Sequence, residues 1–159
     1  MNVKKQWPTY VFWILATEAV GGISALLTRK GMELYSDVIA KPPLSPPSIL
    51  FPIVWVILYA LMGISAARIA LSPPSDTRTN ALLLYVVQLA FNFVWSILFF
   101  NLEVFGIALI WLIVLWGLIL WMTLTMRKLD PVAARLQIPY LIWVLFAAYL
   151  NAGVWVLNR

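Results

Sequence analysis

Apolar residues along this chain gather into five runs, each about as long as a bilayer is thick, with short polar links between them. The runs are Pro8–Leu27, Ile49–Leu71, Thr79–Phe100, Val104–Met126 and Pro131–Val156. A membrane-spanning helix needs about 20 mostly apolar residues, so each run predicts one span. The reading is an all-α integral membrane protein, with residues 1–159 forming a single five-helix bundle. Lys4 and Lys5 before the first run give it the opening of a secretory signal. The run continues past signal length and shows no small-x-small cleavage site, so it is read as the first span.

Within the runs, spacing selects faces. Trp55, Tyr59, Met62 and Ala66 recur at three- and four-residue steps and share one side of the second helix. Gln88, Asn92, Trp95 and Phe99 do the same in the third, and two amides beside a tryptophan point to a shared pocket wall. In the last run Pro139 is expected to free the Arg135 carbonyl and bend the helix. Tyr140, Trp143, Phe146, Ala147 and Asn151 follow it. Trp111, Trp116 and Trp121 step by five residues and spiral round the fourth helix, so they are read as lipid-facing or packing residues. Glu18 sits in mid-span near Gly21, Gly22 and Ala25. It is either a functional carboxylate with a role in proton coupling or a protonated group bonded to a neighbouring helix.

The first link, Thr28–Pro47, is about 20 residues long and ends in Pro42, Pro43, Pro46 and Pro47. Its length marks it as a lid, and the prolines favour a stiff extended backbone. Ser48 is read as the N-cap of the second helix, with Pro52 in its first turn.

Composition strengthens the membrane reading, since 64% of residues are hydrophobic and 11% charged. The net charge of +5 is spread as Lys4, Lys5, Arg68, Arg78, Arg127, Lys128 and Arg135 on one side against Arg29, Lys30, Lys41 and Arg159 on the other. That asymmetry predicts a cytoplasmic N-terminus and an external first link; the cations serve as anchors, with no nucleic-acid partner expected. The chain has no cysteine and no histidine. Thiolate and imidazole metal sites, Ser-His-Asp and Cys-His catalysis are thereby excluded, and no metal site is expected.

Four segments carry a family resemblance: Lys41-Pro42 with Pro46-Pro47, FPIVWVILYALMG at 51–63, QLAFNFVWSILFF at 88–100 and IPYLIWVLFAAYLN at 138–151. Together they resemble the TspO/MBR family of bacterial tryptophan-rich sensory proteins and the mitochondrial translocator protein, or peripheral benzodiazepine receptor. The resemblance implies a compact five-helix bundle, often a homodimer, with a ligand pocket roofed by the first link. It implies binding of porphyrins such as protoporphyrin IX, of haem-related tetrapyrroles and of isoquinoline carboxamides, with no cofactor required. Trp55 and Trp143 match the tryptophans implicated in light-dependent porphyrin breakdown, Gln88, Asn92 and Ala147 match pocket positions, and Pro42 and Pro43 match the lid. The link departs from the family pattern at Leu34 and Leu44, where tryptophans are usual, and runs one residue longer before Lys41. Arg159 lies too far beyond Tyr149 to complete a sterol motif, so sterol binding is not expected.

The residues suit that ligand on physical grounds. Trp55, Trp95 and Trp143 offer faces to a flat macrocycle, Gln88 and Asn92 address its ring nitrogens, and Arg29, Lys30 or Lys41 meets its propionates. With no histidine, a free-base porphyrin fits better than ligated haem. Three readings follow: a tetrapyrrole-binding sensor with photo-oxidative porphyrin degradation as its only enzymatic option, a carrier of porphyrins or other amphipaths that uses Glu18, and a structural interaction protein with a vestigial pocket.

Overall fold

The computed structural model describes residues 6–159; Lys4 and Lys5, counted among the anchoring cations, lie outside the described residues. The elements are α1 (Trp7–Leu27), α2 (Arg29–Asp37), α3 (Leu50–Ala70), α4 (Asp76–Ser96), a π-helical turn (Ile97–Asn101), α5 (Phe105–Arg127), α6 (Pro131–Leu136) and α7 (Ile138–Leu157). Among the described residues five stretches are long and apolar enough to cross a membrane, with α4 and the π turn forming one and α6 with α7 another. The bundle shows apolar side chains outward, among them Ile110 at 65% and Ile142 at 64% exposure, as a protein dissolved in lipid must. This is an integral, multi-pass membrane protein.

Helix ends differ from expectation where side chains decide them. The second link is shorter than predicted because α4 starts at Asp76: the Ser75 hydroxyl accepts the Arg78 N–H at 3.1 Å, a standard N-cap. Ser48 does not cap α3; Ile49 holds that position without a side-chain bond, and Pro52 falls in the first turn as expected. Pro139 does more than bend its helix. The segment splits into α6 and α7 at Gln137, because Pro139 cannot donate to the Arg135 carbonyl.

Close packing of α1 on α3 is set by Gly63. A Cβ there would lie 2.6 Å from the Ile14 Cα, so only glycine lets the two backbones meet. Met62, Ala66 and Ile69 of α3 and Leu112, Leu115 and Ile119 of α5 form the fully buried core. At the end where α3 finishes, Arg68 Nε donates to Asp130 Oδ2 at 2.7 Å, and Asp130 Oδ1 accepts the Val132 and Ala133 N–H groups. Burial alone would raise the Asp130 carboxyl, but the Arg68 and backbone hydrogen bonds outweigh it and hold the group below its ordinary range. The Ser65 hydroxyl donates to the Ala133 carbonyl at 2.8 Å, so α6 is pinned to α3 twice.

The opposite end is roofed, and here the predicted loop is corrected. Residues 29–37 form a helix, not an irregular lid. Gly31 and Tyr35 lie one turn apart on its buried side while Arg29, Lys30 and Glu33 stay in solvent, so the short helix is amphipathic. Gly31 rests on the Phe100 backbone, where a Cβ would have no room. After Asp37 the strap is irregular and not the uniformly extended segment expected: it turns at Pro43-Leu44, where Leu44 has φ 66° and the Ser45 hydroxyl donates to the Pro42 carbonyl at 2.7 Å.

Candidate functional site

A cavity of about 100 Å³ lies beneath the roof, enclosed by α1, α2, α3, the end of α4 and α7. Its lining is aromatic. Trp55 stacks on Tyr59 with centroids 5.3 Å apart, and Trp95 stacks on Phe99 at 5.4 Å. Tyr35 fills the roof side with its ring edge-on to Phe51 and Phe100. Trp143 closes the α7 side, edge-on to Phe51 at 6.0 Å. The polar side chains of the lining are the hydroxyls of Ser24, Thr28, Tyr35, Tyr59 and Ser96, the Asn151 amide and the indole N–H groups, amid small and apolar residues such as Ala25, Met32 and Leu150. Such a site suits a flat, largely apolar molecule held by stacking.

Each wall has a local cause. On α1, Gly21 gives Tyr59 its place: a Cβ on Gly21 would fall 2.2 Å from the ring. The π turn swings Phe99 and Phe100 toward the cavity, a distortion of the kind often found at functional sites. Asn101 Nδ2 then ties that turn to the Leu27 carbonyl at 3.0 Å. Trp95 is fixed by donating its indole N–H to Asn151 Oδ1 at 3.2 Å, while Asn151 Nδ2 donates to the Phe105 carbonyl at 2.8 Å.

Trp55, Tyr59, Trp95, Trp143, Ala147 and Asn151, read from the sequence as ligand contacts, meet at this cavity together with Phe99 of the Trp95 stripe. Gln88, Asn92 and Tyr140 stand behind it as a buried network. The Tyr59 hydroxyl donates to Asn92 Oδ1 at 3.0 Å, Asn92 Nδ2 to the Tyr140 oxygen at 2.8 Å, and the Tyr140 hydroxyl to Gln88 Oε1 at 2.9 Å. These amides set the depth and tilt of the Tyr59 ring from behind the wall. Phe146 faces outward into a groove between α3 and α7, which it shares with Trp143.

Pro42 and Pro43 form the roof strap without lining the cavity. Pro42 is seated on Gly153, the Pro43 carbonyl accepts the Tyr149 hydroxyl at 2.8 Å, and Ala40 pairs with the Asn158 side chain through both its N–H and its carbonyl. Lys41 donates to the Ser36 carbonyl and covers the Tyr35 ring at 5.3 Å. Arg29 faces Glu33 across 3.5 Å, and Lys30 is exposed. Burial pushes the Tyr35 phenol above its ordinary value, so the ring is a neutral wall. Glu18 is half-buried on α1, with no hydrogen-bond or ion-pair partner among the described residues. Of the spiralling tryptophans, Trp111 and Trp116 donate to the Phe91 and Leu141 carbonyls, and Trp121 is exposed.

Phe51, Phe100 and Tyr35 join the lining without having been expected from the sequence. Phe51 precedes Trp55 by one turn and was legible as part of that stripe. The buried α1 row Thr17, Gly21, Ser24 and Thr28 carried the same three- and four-residue signal.

A profile of the TspO/MBR family matches residues 13–156. The chain is 33% identical to the Tryptophan-rich protein TspO of Chlorobaculum tepidum over 98% of this chain and 99% of the relative. It is 35% identical to the Tryptophan-rich protein TspO of Archaeoglobus fulgidus over 99% of each. The Translocator protein of Bos taurus is 33% identical over 96% of this chain and 92% of its own. With the five-span bundle, the roofed aromatic cavity and a match across nearly its whole length, the chain belongs to the TspO/MBR family.

Proposed function

We propose that this protein is a membrane sensor or regulator that binds a planar tetrapyrrole, protoporphyrin IX or a relative, in its aromatic cavity. The observation that carries the reading is the set of stacked rings around one apolar space, with Trp55 and Trp143 on facing helices. The macrocycle lies between them, its propionates turned to the roof edge where Lys41, Arg29 and Lys30 are found. Ligand sites commonly span about 300–1,000 Å³, whereas the cavity holds about 100 Å³. Binding therefore moves rings apart, and Trp55 and Trp143, half-buried like Phe51 and Phe100, are able to move. Under light, an indole beside the excited porphyrin acts as electron donor and molecular oxygen as the oxidant, making slow porphyrin breakdown a consequence of binding. Isoquinoline carboxamides, also flat and apolar, compete for the same space. The protein acts as a homodimer, with its N-terminus cytoplasmic and the roof outside.

A second reading, carriage of amphipaths across the bilayer, is favoured by Glu18 alone, a carboxylate without a partner among the described residues in a spanning helix. The discriminating experiment is an absorption titration with protoporphyrin IX in the dark, then illumination, for wild type and Trp55→Phe/Trp143→Phe. Saturable binding with light-driven band loss, slowed in the double variant, supports the photochemical sensor. Binding without band loss limits the function to sensing or carriage. Vesicle transport abolished by Glu18→Gln but kept in Trp55→Phe supports the carrier.

A further inference from the structure

The cavity and the lipid-facing groove share one wall, and that wall is Trp143. The groove holds about 650 Å³ and is lined only by apolar residues, Val54, Ile57 and Leu61 of α3 against Pro139, Ile142 and Phe146 of α7 among them. We propose that this α3–α7 seam, gated by Trp143, is the passage by which a flat apolar ligand moves between the bilayer and the cavity; the inference rests on the reading that the cavity takes such a ligand.

Three features of the bonding favour the seam over the roof. The roof is held by directional hydrogen bonds, from Tyr149 to Pro43 and between Asn158 and Ala40, and by the seating of Pro42 on Gly153. Opening it breaks each of those bonds. Across the seam, by contrast, no hydrogen bond joins α3 to α7 among the described residues. Parting these helices exchanges side-chain contacts for contacts with lipid tails, which are equally apolar, and each helix keeps its own backbone bonds. The third feature is the gate itself. Trp95, Trp111 and Trp116 each anchor the indole N–H to an acceptor, whereas Trp143 has none among the described residues. Its ring is held by apolar packing alone, edge-on to Phe51 and tilted against Phe146. Turning that ring joins the groove to a cavity otherwise too small for a macrocycle. The break at Gln137, with α6 pinned to α3, gives α7 a pivot at the far end of the seam.

The test uses full-length protein in phosphatidylcholine nanodiscs loaded with protoporphyrin IX, following association and dissociation by stopped-flow absorption. Ile57→Trp and Ile142→Trp fill the groove at lipid-exposed positions, 54% and 64% accessible, that do not line the cavity. Because only the passage is obstructed, both rates are expected to fall on the order of tenfold, about 1.4 kcal/mol of added barrier, with Kd unchanged. Asn158→Ala, which loosens the roof, is expected to leave both rates as in wild type. Unchanged rates in both groove variants, or faster exchange in Asn158→Ala, would overturn the seam as the passage. A wild-type protein that binds no porphyrin refutes the pocket reading instead, before any rate is compared.

Discussion

Gly153 carries Pro42 directly on its backbone: a Cβ at position 153 would lie 2.4 Å from the Pro42 Cβ. The rigid pyrrolidine ring has no rotamer by which to retreat, so the last helix and the roof strap fit only while this position is bare. Gly153→Ala is therefore expected to lift the strap. Amide exchange across residues 38–44 should rise while that of α5 stays unchanged. The unfolding free energy should fall by an overpacking cost of about 1–3 kcal/mol, with a lower thermal midpoint. Equal protection in variant and wild type would show that the strap is not seated there.

A harsher version of the same experiment concerns α1 and α3. At Gly63 the obstacle to a Cβ is the Ile14 backbone, which cannot swing away. Gly63→Ala should destabilise the bundle by about 1–3 kcal/mol or more in detergent unfolding. Gly117, where an added methyl would meet nothing within 4 Å, is the control; Gly117→Ala should be neutral or stabilising by up to about 1 kcal/mol from helix propensity.

The buried network behind Tyr59 predicts an asymmetry. Asn92→Leu leaves the Tyr59 hydroxyl without its acceptor and Tyr140 without one of its donors, in surroundings that water does not reach. Its expected cost is about 1–3 kcal/mol. Tyr35→Phe, which removes a hydroxyl with no side-chain bond among the described residues, should cost less than half as much. Thermal unfolding of both in one lipid composition checks the order.

Much of this arrangement is readable in the chain, and the reasons differ by residue. The five spans follow from run length, because lipid imposes one rule on every residue it touches. Trp55 and Tyr59, or Trp143 and Ala147, declare a common face by spacing, which a helix preserves. For Gln88 and Asn92 the spacing gives the right side of the helix but places them one layer too shallow, since periodicity gives direction and not depth. Residues 29–37 read as loop because their polar content masks a one-sided contact made by Gly31, Met32 and Tyr35. Phe100 is beyond reach: it meets the cavity only through the π turn, whose register is set by tertiary contacts such as Asn101 to Leu27.

Acid should weaken the opposite end of the molecule. The folded-state carboxyl of Asp130 is depressed below its ordinary value of 3.8. Its contribution to stability is thus fully present above that value and is lost as pH falls through the lower folded value. Asp130→Asn keeps an N-cap for α6 but gives up the Arg68 pairing. The gap in thermal midpoint between wild type and Asp130→Asn should be constant from pH 7 to 5 and close below pH 3.8. A gap that widens in acid would contradict the assignment.

A flat apolar ligand seated between Trp55 and Trp143 is displaced when that space is filled. Ala147 lines the cavity, and Ala147→Trp places an indole where the macrocycle is expected. Ile110→Trp adds the same indole on the lipid-facing surface of α5, where the native side chain is 65% exposed. Dark absorption titration with protoporphyrin IX should show Kd weakened at least tenfold, about 1.4 kcal/mol, in Ala147→Trp and unaltered in Ile110→Trp. Equal affinity in the two variants and wild type would mean that the porphyrin binds elsewhere on the bundle.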